Sequence, residues 1–280
     1  MSREDNVKVF EHTEKMCKTN GILRSSVESS KKKQKIILES ENFYADIDHP
    51  YKERAEVFVS DKRSFEAALV YAEKGLKVCV HNFASATNPG GGVAKGSNAQ
   101  EEGLCRISTL YPCLADKKLW NAFYMPHRQM RNPLNNGDCI YTPDVVIFKS
   151  DDGKYNLLPQ ENWNQVNVIT LAAPNLRTLP SNDYNPHNGD KVIAIDNDEL
   201  LAIHEKRMRR FMEIAKAEGN EVVILGAFGC GAFMNNPNVV VKAMKNISEE
   251  YKYDFKVIEF AVYCRPDHRE NYEIFKKIIG

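Results

Sequence analysis

At 280 residues, with 42% hydrophobic and 27% charged side chains, the chain can bury a sizeable core as one large domain or two small ones. Lysine plus arginine balances aspartate plus glutamate at 38 each, which excludes a net field drawing nucleic acid or membrane to the whole surface. Seven cysteines at positions 17, 79, 105, 113, 139, 230 and 264 contain no C-x-x-C pair and predict reduced thiols in an intracellular, cytoplasmic protein, or a nuclear one in a eukaryote.

The N-terminus is polar and lacks an apolar signal core, and no apolar run reaches bilayer-spanning length. Val7, Val9, Phe10 and Met16 among charges predict an amphipathic helix from Asn6 to about Cys17, ending near Asn20-Gly21. The four lysines between Ser29 and Lys35 are expected in a solvated turn. Val57-Phe58-Val59 reads as a strand. Ser60 or Asp61 then caps a helix with Phe65, Ala68, Leu69 and Ala72 on one face, Gly75 closes it, and Leu76 to His81 is a second strand. Such a β-α-β unit implies a parallel sheet with helices on both faces and ligands beyond the carboxyl ends of its strands.

The next stretch, Asn88-Pro89-Gly90-Gly91-Gly92 through Gln100-Glu101-Glu102, is a glycine-rich loop opening a helix. Three glycines let the backbone take positive φ and come close to a ligand. Ser97 with Gln100 has the form of a capping box, which puts Gln100 and both glutamates in the first turn, where free N–H groups and the helix dipole face outward. Adjacent helical positions diverge by about 100°, so the two glutamates are not expected to aim at one atom. One acts while the other orients something.

Trp120 to Tyr124 and the proline- and asparagine-rich Pro126 to Asp138 lack a period and form a candidate lid. Val145 to Phe148 is a strand, and Asp151-Asp152-Gly153 reads as the turn of a hairpin. Val166 to Ala172 is another strand, ending at Ala173-Pro174-Asn175, and Ser181 to Asp190 is a polar loop. Asp196 or Asn197 opens a long helix to about Lys216. Inside it, His204-Glu205-Lys206-Arg207-Met208 begins like a zinc-protease helix but lacks the second histidine, so no metal and no cofactor are expected. Val222 to Leu225 is a buried strand running into Gly226-Ala227-Phe228-Gly229-Cys230-Gly231-Ala232-Phe233, with a helix from Asn238 to about Ile247. This second loop is neither G-x-G-x-x-G nor a Walker A, yet its amides at a helix start can cradle a diphosphate. Val257 to Val262 is the last strand and Asn271 to Ile279 the closing helix. At that strand end Tyr263 could stack on a base, whereas Phe260 suits the core.

Gly90-Gly91-Gly92, seven residues, then Gln100-Glu101-Glu102 resembles the signature of the poly(ADP-ribose) glycohydrolases, catalytic members of the macrodomain fold. The similarity is to the short microbial-type branch. Leu104-Cys105-Arg106 and Ser108-Thr109-Leu110-Tyr111-Pro112 continue it, and Gly229 to Phe233 resembles the macrodomain diphosphate loop with its GCGAF core. The resemblance covers most of the chain. It implies one macrodomain-like domain over residues 1–280, a three-layer α/β/α sandwich with a mostly parallel central mixed sheet and N-terminal helical additions, residues 1–50 being an extension packed on it.

It also implies hydrolysis of the ribose–ribose O-glycosidic (1''-2') bond of poly(ADP-ribose), with ADP-ribose released and a place in the DNA damage response. Glu102 corresponds to the general acid/base and Glu101 to the residue orienting the ribose. Asn88 would set the sugar, Phe233 would pack on it, and Gly90, Gly91, Gly92, Gln100, Gly229, Cys230, Gly231, Ala232 and Tyr263 complete the implied substrate site. A general acid must keep its proton although a helix N-terminus lowers a carboxyl pKa, so burial and the Glu101 charge are expected to oppose that on Glu102. Met234 and Asn236 depart from the usual small and acidic residues after the second loop. The implied partners are poly(ADP-ribose) or ADP-ribosylated proteins, with no membrane or direct nucleic-acid binding and a monomeric state. Two other readings stay open: a hydrolase of ADP-ribose linked to protein side chains, and a non-catalytic ADP-ribose reader.

Overall fold

Along the central strands, side chains alternate between two apolar faces, as the period-2 geometry of a strand demands. Val78 and Val80 point to one face while Cys79 points to the other, and Val222 and Ile224 oppose Val223 and Leu225 in the same way. The computed structural model describes residues 1–41, 49–177 and 192–280. Its sheet has seven strands: β1 (Lys35–Ile37), β2 (Glu56–Ser60), β3 (Val78–Phe83), β4 (Cys139–Ile147), β5 (Asn164–Leu171), β6 (Val222–Leu225) and β7 (Val257–Ala261). Their order is β1-β4-β5-β3-β6-β7-β2. The run from β5 to β2 is parallel, and β4 is antiparallel to both β5 and β1. A mostly parallel mixed sheet results.

One face carries α3 (Ser64–Ala72), α4 (Gln100–Ile107) and α5 (Leu110–Leu114), with Phe65, Leu104, Ile107 and Leu110 in its core. The other carries α8 (Asn197–Ala217), α9 (Pro237–Glu250) and α10 (Glu270–Ile279), with Phe211, Met212, Val240, Met244 and Phe275. The three-layer α/β/α plan therefore holds. Ahead of it lie α1 (Arg3–Thr19) and α2 (Gly21–Lys33), α1 against α4 and α2 against β4.

Several local expectations are corrected. The lysines at 31–33 end α2 rather than lying in a turn, and Lys35–Ile37 forms the edge strand β1. A three-residue edge strand is too short to announce itself by alternation. Ser60 belongs to β2 and does not cap α3; instead Asp151, far along the chain, accepts from the amides of Phe65 at 3.2 Å and Glu66 at 3.3 Å. The hairpin at Asp151 to Gly153 is reduced to the single bridge Lys149–Leu157, because β4 takes β5 as its antiparallel partner. β4 also begins six residues earlier than its apolar core suggests, and a register shift between Thr142 and Val145 accommodates Asp144 at φ +57°. The first part of the aperiodic excursion is helical, α6 (Lys117–Leu119) leading into a π-turn (Trp120–Tyr124) and α7 (Met125–Met130), while residues 131–138 are turns and irregular chain. The π-turn breaks the 3.6-residue repeat, which is why no period is visible. The polar loop expected at Ser181 to Asp190 lies outside the described residues.

Candidate active site

β3 and β6 are adjacent and parallel, so the two glycine-rich loops leave the sheet side by side. The second loop starts hard against the end of β3, since a Cβ on Gly226 would stand 3.0 Å from the Phe83 ring. This is the crevice at the carboxyl ends where an open α/β sheet binds its ligands.

Gln100 and both glutamates lie in the first turn of α4 as expected, but the helix starts at Gln100 with Ala99 rather than Ser97 as its N-cap. Ser97 packs against Gly92 instead, in a place a Cβ would fill. Glu102 supplies half of a capping box by accepting the Ala99 amide at 3.0 Å. Its other oxygen accepts the Gly92 amide at 2.9 Å. Glu101 turns toward β3, accepting from the Ser85 amide at 2.8 Å and from Asn82 Nδ2 at 3.3 Å.

The two glutamates, expected to diverge, nonetheless converge on Gly91. A Cβ there would lie 2.5 Å from Glu102 Oε1 and 3.1 Å from Glu101 Oε2. Their Cα atoms do point apart around the helix, but two methylenes are long enough to bring the carboxyls back to one glycine. Gly91 has φ +60° and no side chain, and both facts are needed.

Both carboxyls are buried, Glu101 at 3% and Glu102 at 7% exposure. Burial, seconded by the neighbouring Glu102 charge, pushes the Glu101 carboxyl up to about 8 against the opposing hydrogen bonds from Ser85, Asn82 and Gly90.

Gln100 joins α4 to the sheet: its Nε2 donates to His81 O at 2.7 Å and Ser64 Oγ at 3.0 Å, and its Oε1 accepts from the Phe83 amide at 2.9 Å. With both ends engaged internally, this side chain holds the start of α4 against the sheet. Asn88 is at the exposed rim, where Arg128 of α7 donates to its Oδ1 and, at 2.8 Å, to Thr87 O. The Arg128 guanidinium lies 4.7 Å from the Trp120 ring centroid. The excursion predicted as a lid therefore grips the loop carrying Asn88.

In the second loop, the amides of Gly229, Gly231, Ala232 and Phe233 donate to no group among the described residues, while Gly229 adopts φ +78°. Gly231 and Ala232 are exposed. The loop is shaped by Asn235, which periodicity could not single out. Asn235 Nδ2 donates to the carbonyls of Pro174 at 2.7 Å and of Gly229 and Phe233 at 3.1 Å each, and its Oδ1 meets His204 Nε2 at 2.9 Å. Burial keeps His204 neutral, its pKa lowered to about 4. Met234 takes φ +58°, Asn236 caps α9 through the Asn238 amide, and Cys230 and Phe233 pack partly into the core below. Phe260 is buried in that core, whereas Tyr263 is 46% exposed with Arg63 4.0 Å over its ring. Of the two aromatics weighed for stacking, Tyr263 is the one that is accessible.

Asn82 and Ser85 escape a sequence reading because the one lies near the end of an otherwise apolar strand run and the other just beyond it; the signal is a polar pair, His81-Asn82, at buried positions of β3. Among the described residues, no group of three or more histidine, cysteine, aspartate or glutamate side chains converges as metal ligands, and no helix is long and apolar enough to cross a membrane.

The profile of the family described as microbial-type PARG, catalytic domain, matches residues 4–150, more than half of the chain and the whole of the first loop and α4. The chain belongs to that family. As a member it is a glycosidase acting on poly(ADP-ribose). The fold agrees with poly(ADP-ribose) glycohydrolase (PARG) from Thermomonospora curvata, with a TM-score of 0.79 at 24% identity over 98% of this chain and 99% of that one. PARG from Deinococcus radiodurans in complex with ADP-ribose is 28% identical, with a TM-score of 0.75 over 90% of this chain and 96% of that one. No curated protein matches the chain.

Proposed function

We propose that this PARG-family chain hydrolyses the 1''-2' ribose–ribose bond of poly(ADP-ribose), with Glu102 as general acid/base. The observation that carries the reading is a buried carboxyl held by two backbone amides, Gly92 and Ala99, against a glycine with no side chain, at the mouth of a crevice. Glu102 gives a proton to the leaving 2'-oxygen as the bond to C1'' breaks. It then takes a proton from the water whose oxygen bonds to C1'', so it ends as it began. Glu101, which holds a proton near neutral pH, keeps the pair from carrying two adjacent charges and orients the ribose. The free amides of Gly229, Gly231, Ala232 and Phe233 receive the diphosphate, a role supported by the loop's place at the start of α9. Asn88 and Phe233 hold the sugar, and Tyr263 offers a face to the adenine.

The chain acts as one unit with the N-terminal helices α1 and α2 packed on it, as a monomer in the cytoplasm; all seven of its cysteines are free thiols. Its partners are poly(ADP-ribose), ADP-ribosylated proteins and, as product, the ADP-ribose seen in the D. radiodurans complex.

The test is incubation with poly(ADP-ribose), chromatography of free ADP-ribose, and ADP-ribose titration of wild type and Glu102→Gln. Release by wild type, abolished in Glu102→Gln with binding retained, supports the reading. Binding without turnover by either protein overturns it in favour of a reader. Turnover confined to mono-ADP-ribosylated protein moves the substrate to side-chain-linked ADP-ribose.

A further inference from the structure

The glycine loop that carries the site is clamped at both ends by the N-terminal helix. At its far end, Gly96 (φ +74°) closes the turn Val93–Lys95, and the Ser97 amide returns to Gly92 O at 3.2 Å. Asn6 of α1, 3% exposed, donates its Nδ2 to the Gly96 carbonyl at 3.1 Å across 90 residues of sequence. The Arg3 carbonyl sits so close to Gly96 that a Cβ there would overlap it. At the near end, Phe10 of α1 meets Tyr111 edge-on, with 4.7 Å between centroids, and the Tyr111 ring lies 2.7 Å from where a Gly90 Cβ would stand. A third strut runs from Thr13 of α1 to the Arg106 carbonyl, and Arg106 in turn donates to Ser97 O at 2.6 Å and Asn98 Oδ1 at 2.8 Å.

Between these fixed ends, Gly92 presents its amide to Glu102. Three glycines in a row have more backbone freedom to lose than any other residues, so this geometry needs external support. Asn6 also leaves its own Oδ1 buried without a partner among the described residues, a cost that an apolar side chain at that position would avoid. What Asn6 adds in exchange is the contact with Gly96.

We infer that α1 is part of the catalytic scaffold, with Asn6 a positioning residue that holds the Gly96 corner and, through it, the Gly92 amide against Glu102. The kinetic consequence rests on the proposed role of Glu102; the structural consequence does not.

The test uses Asn6→Ala, Asn6→Gln and Val27→Ala in the 280-residue chain, all measured well below their melting temperatures. Val27 is buried on α2 against β4, away from the loop, and supplies a destabilised control. Asn6→Ala should speed hydrogen exchange at the Gly92 and Ala99 amides about tenfold and lower kcat on poly(ADP-ribose) about tenfold, with KM within about twofold. Val27→Ala should change neither, and Asn6→Gln, which keeps a donor, should recover part of both. Unchanged exchange in Asn6→Ala overturns the inference, as does an equal kcat loss in Val27→Ala. If wild type does not turn over the polymer, the functional reading fails and exchange alone decides the role of Asn6.

Discussion

The amide of Gly92 donates to Oε1 of Glu102 across 2.9 Å, joining the last residue of the glycine triplet to the third residue of α4. The Ala99 amide holds the other oxygen, so the carboxyl can neither rotate nor withdraw without losing a hydrogen bond. Glu102→Asp keeps the acid but shortens its reach by one methylene, and the two donors can no longer both be met. The expected result is a kcat on poly(ADP-ribose) lowered about 100-fold with ADP-ribose affinity within a few-fold of wild type. Steady-state kinetics beside a binding titration checks it; a kcat near wild type would show that placement of this carboxyl is immaterial.

Glu101 gives the stability of the protein a definite pH signature. Its carboxyl is raised from 4.5 to about 8 in the fold, so between those values the folded state holds a proton that the unfolded chain has lost. The corresponding stabilisation is complete below about 4.5 and disappears as pH rises through about 8. Asp151, raised to about 6, acts in the same direction, while the buried neutral His81 (about 3) and His204 (about 4) act in the opposite one up to the ordinary histidine range. Comparing wild type with Glu101→Gln cancels these three. The melting temperatures should coincide near pH 4 and separate in favour of Glu101→Gln as pH rises, by on the order of 5 °C at pH 9. A gap independent of pH would refute the assignment.

Gly91→Ala places a methyl group where both carboxyls now meet, at a φ of +60° that L-residues rarely adopt. The added methyl would stand 2.5 Å from Glu102 Oε1, and displacing that oxygen should lower kcat by more than about 100-fold and cost about 1–3 kcal/mol of stability. Circular dichroism with thermal melting separates the two effects, since the fold should persist at assay temperature.

Arg128 ties α7 to the loop through Thr87 O and Asn88 Oδ1 while resting on Trp120. Arg128→Ala removes all three contacts and leaves the acid untouched. The polymer KM should rise several-fold with kcat within about twofold, and stability should fall by about 1–2 kcal/mol. A fall in kcat with unchanged KM would instead connect α7 to the chemical step.

Much of the frame was legible because it is local. Val222–Leu225 and the long helix ending near Lys216 announce themselves by apolar runs and helical spacing, and strand-then-glycine-then-helix places both loops at carboxyl strand ends. The first loop with its two glutamates is visible for the same reason, all its residues lying within one short stretch. The edge strand β1 and the helical excursion stayed hidden, one too short to show alternation and the other broken by a π-turn.

What this sequence determined by itself is which residues are brought to the crevice: the glycine triplet, Glu101, Glu102, and the second loop from Gly226 to Phe233. Only the tertiary structure decided how they are held. Asp151 caps α3, Asn235 gathers three carbonyls and His204, Arg128 grips Asn88, and Asn6 holds Gly96. Each of these is a single polar side chain with at least one backbone or side-chain partner distant in sequence. Such contacts have no period and no composition, because hydrogen bonds are chosen by position in the packed core and not by neighbours along the chain. The convergence of Glu101 and Glu102 on Gly91 is of the same kind: helical spacing gives the directions of the two Cα–Cβ bonds, and only the loop folded over them decides where the carboxyls meet.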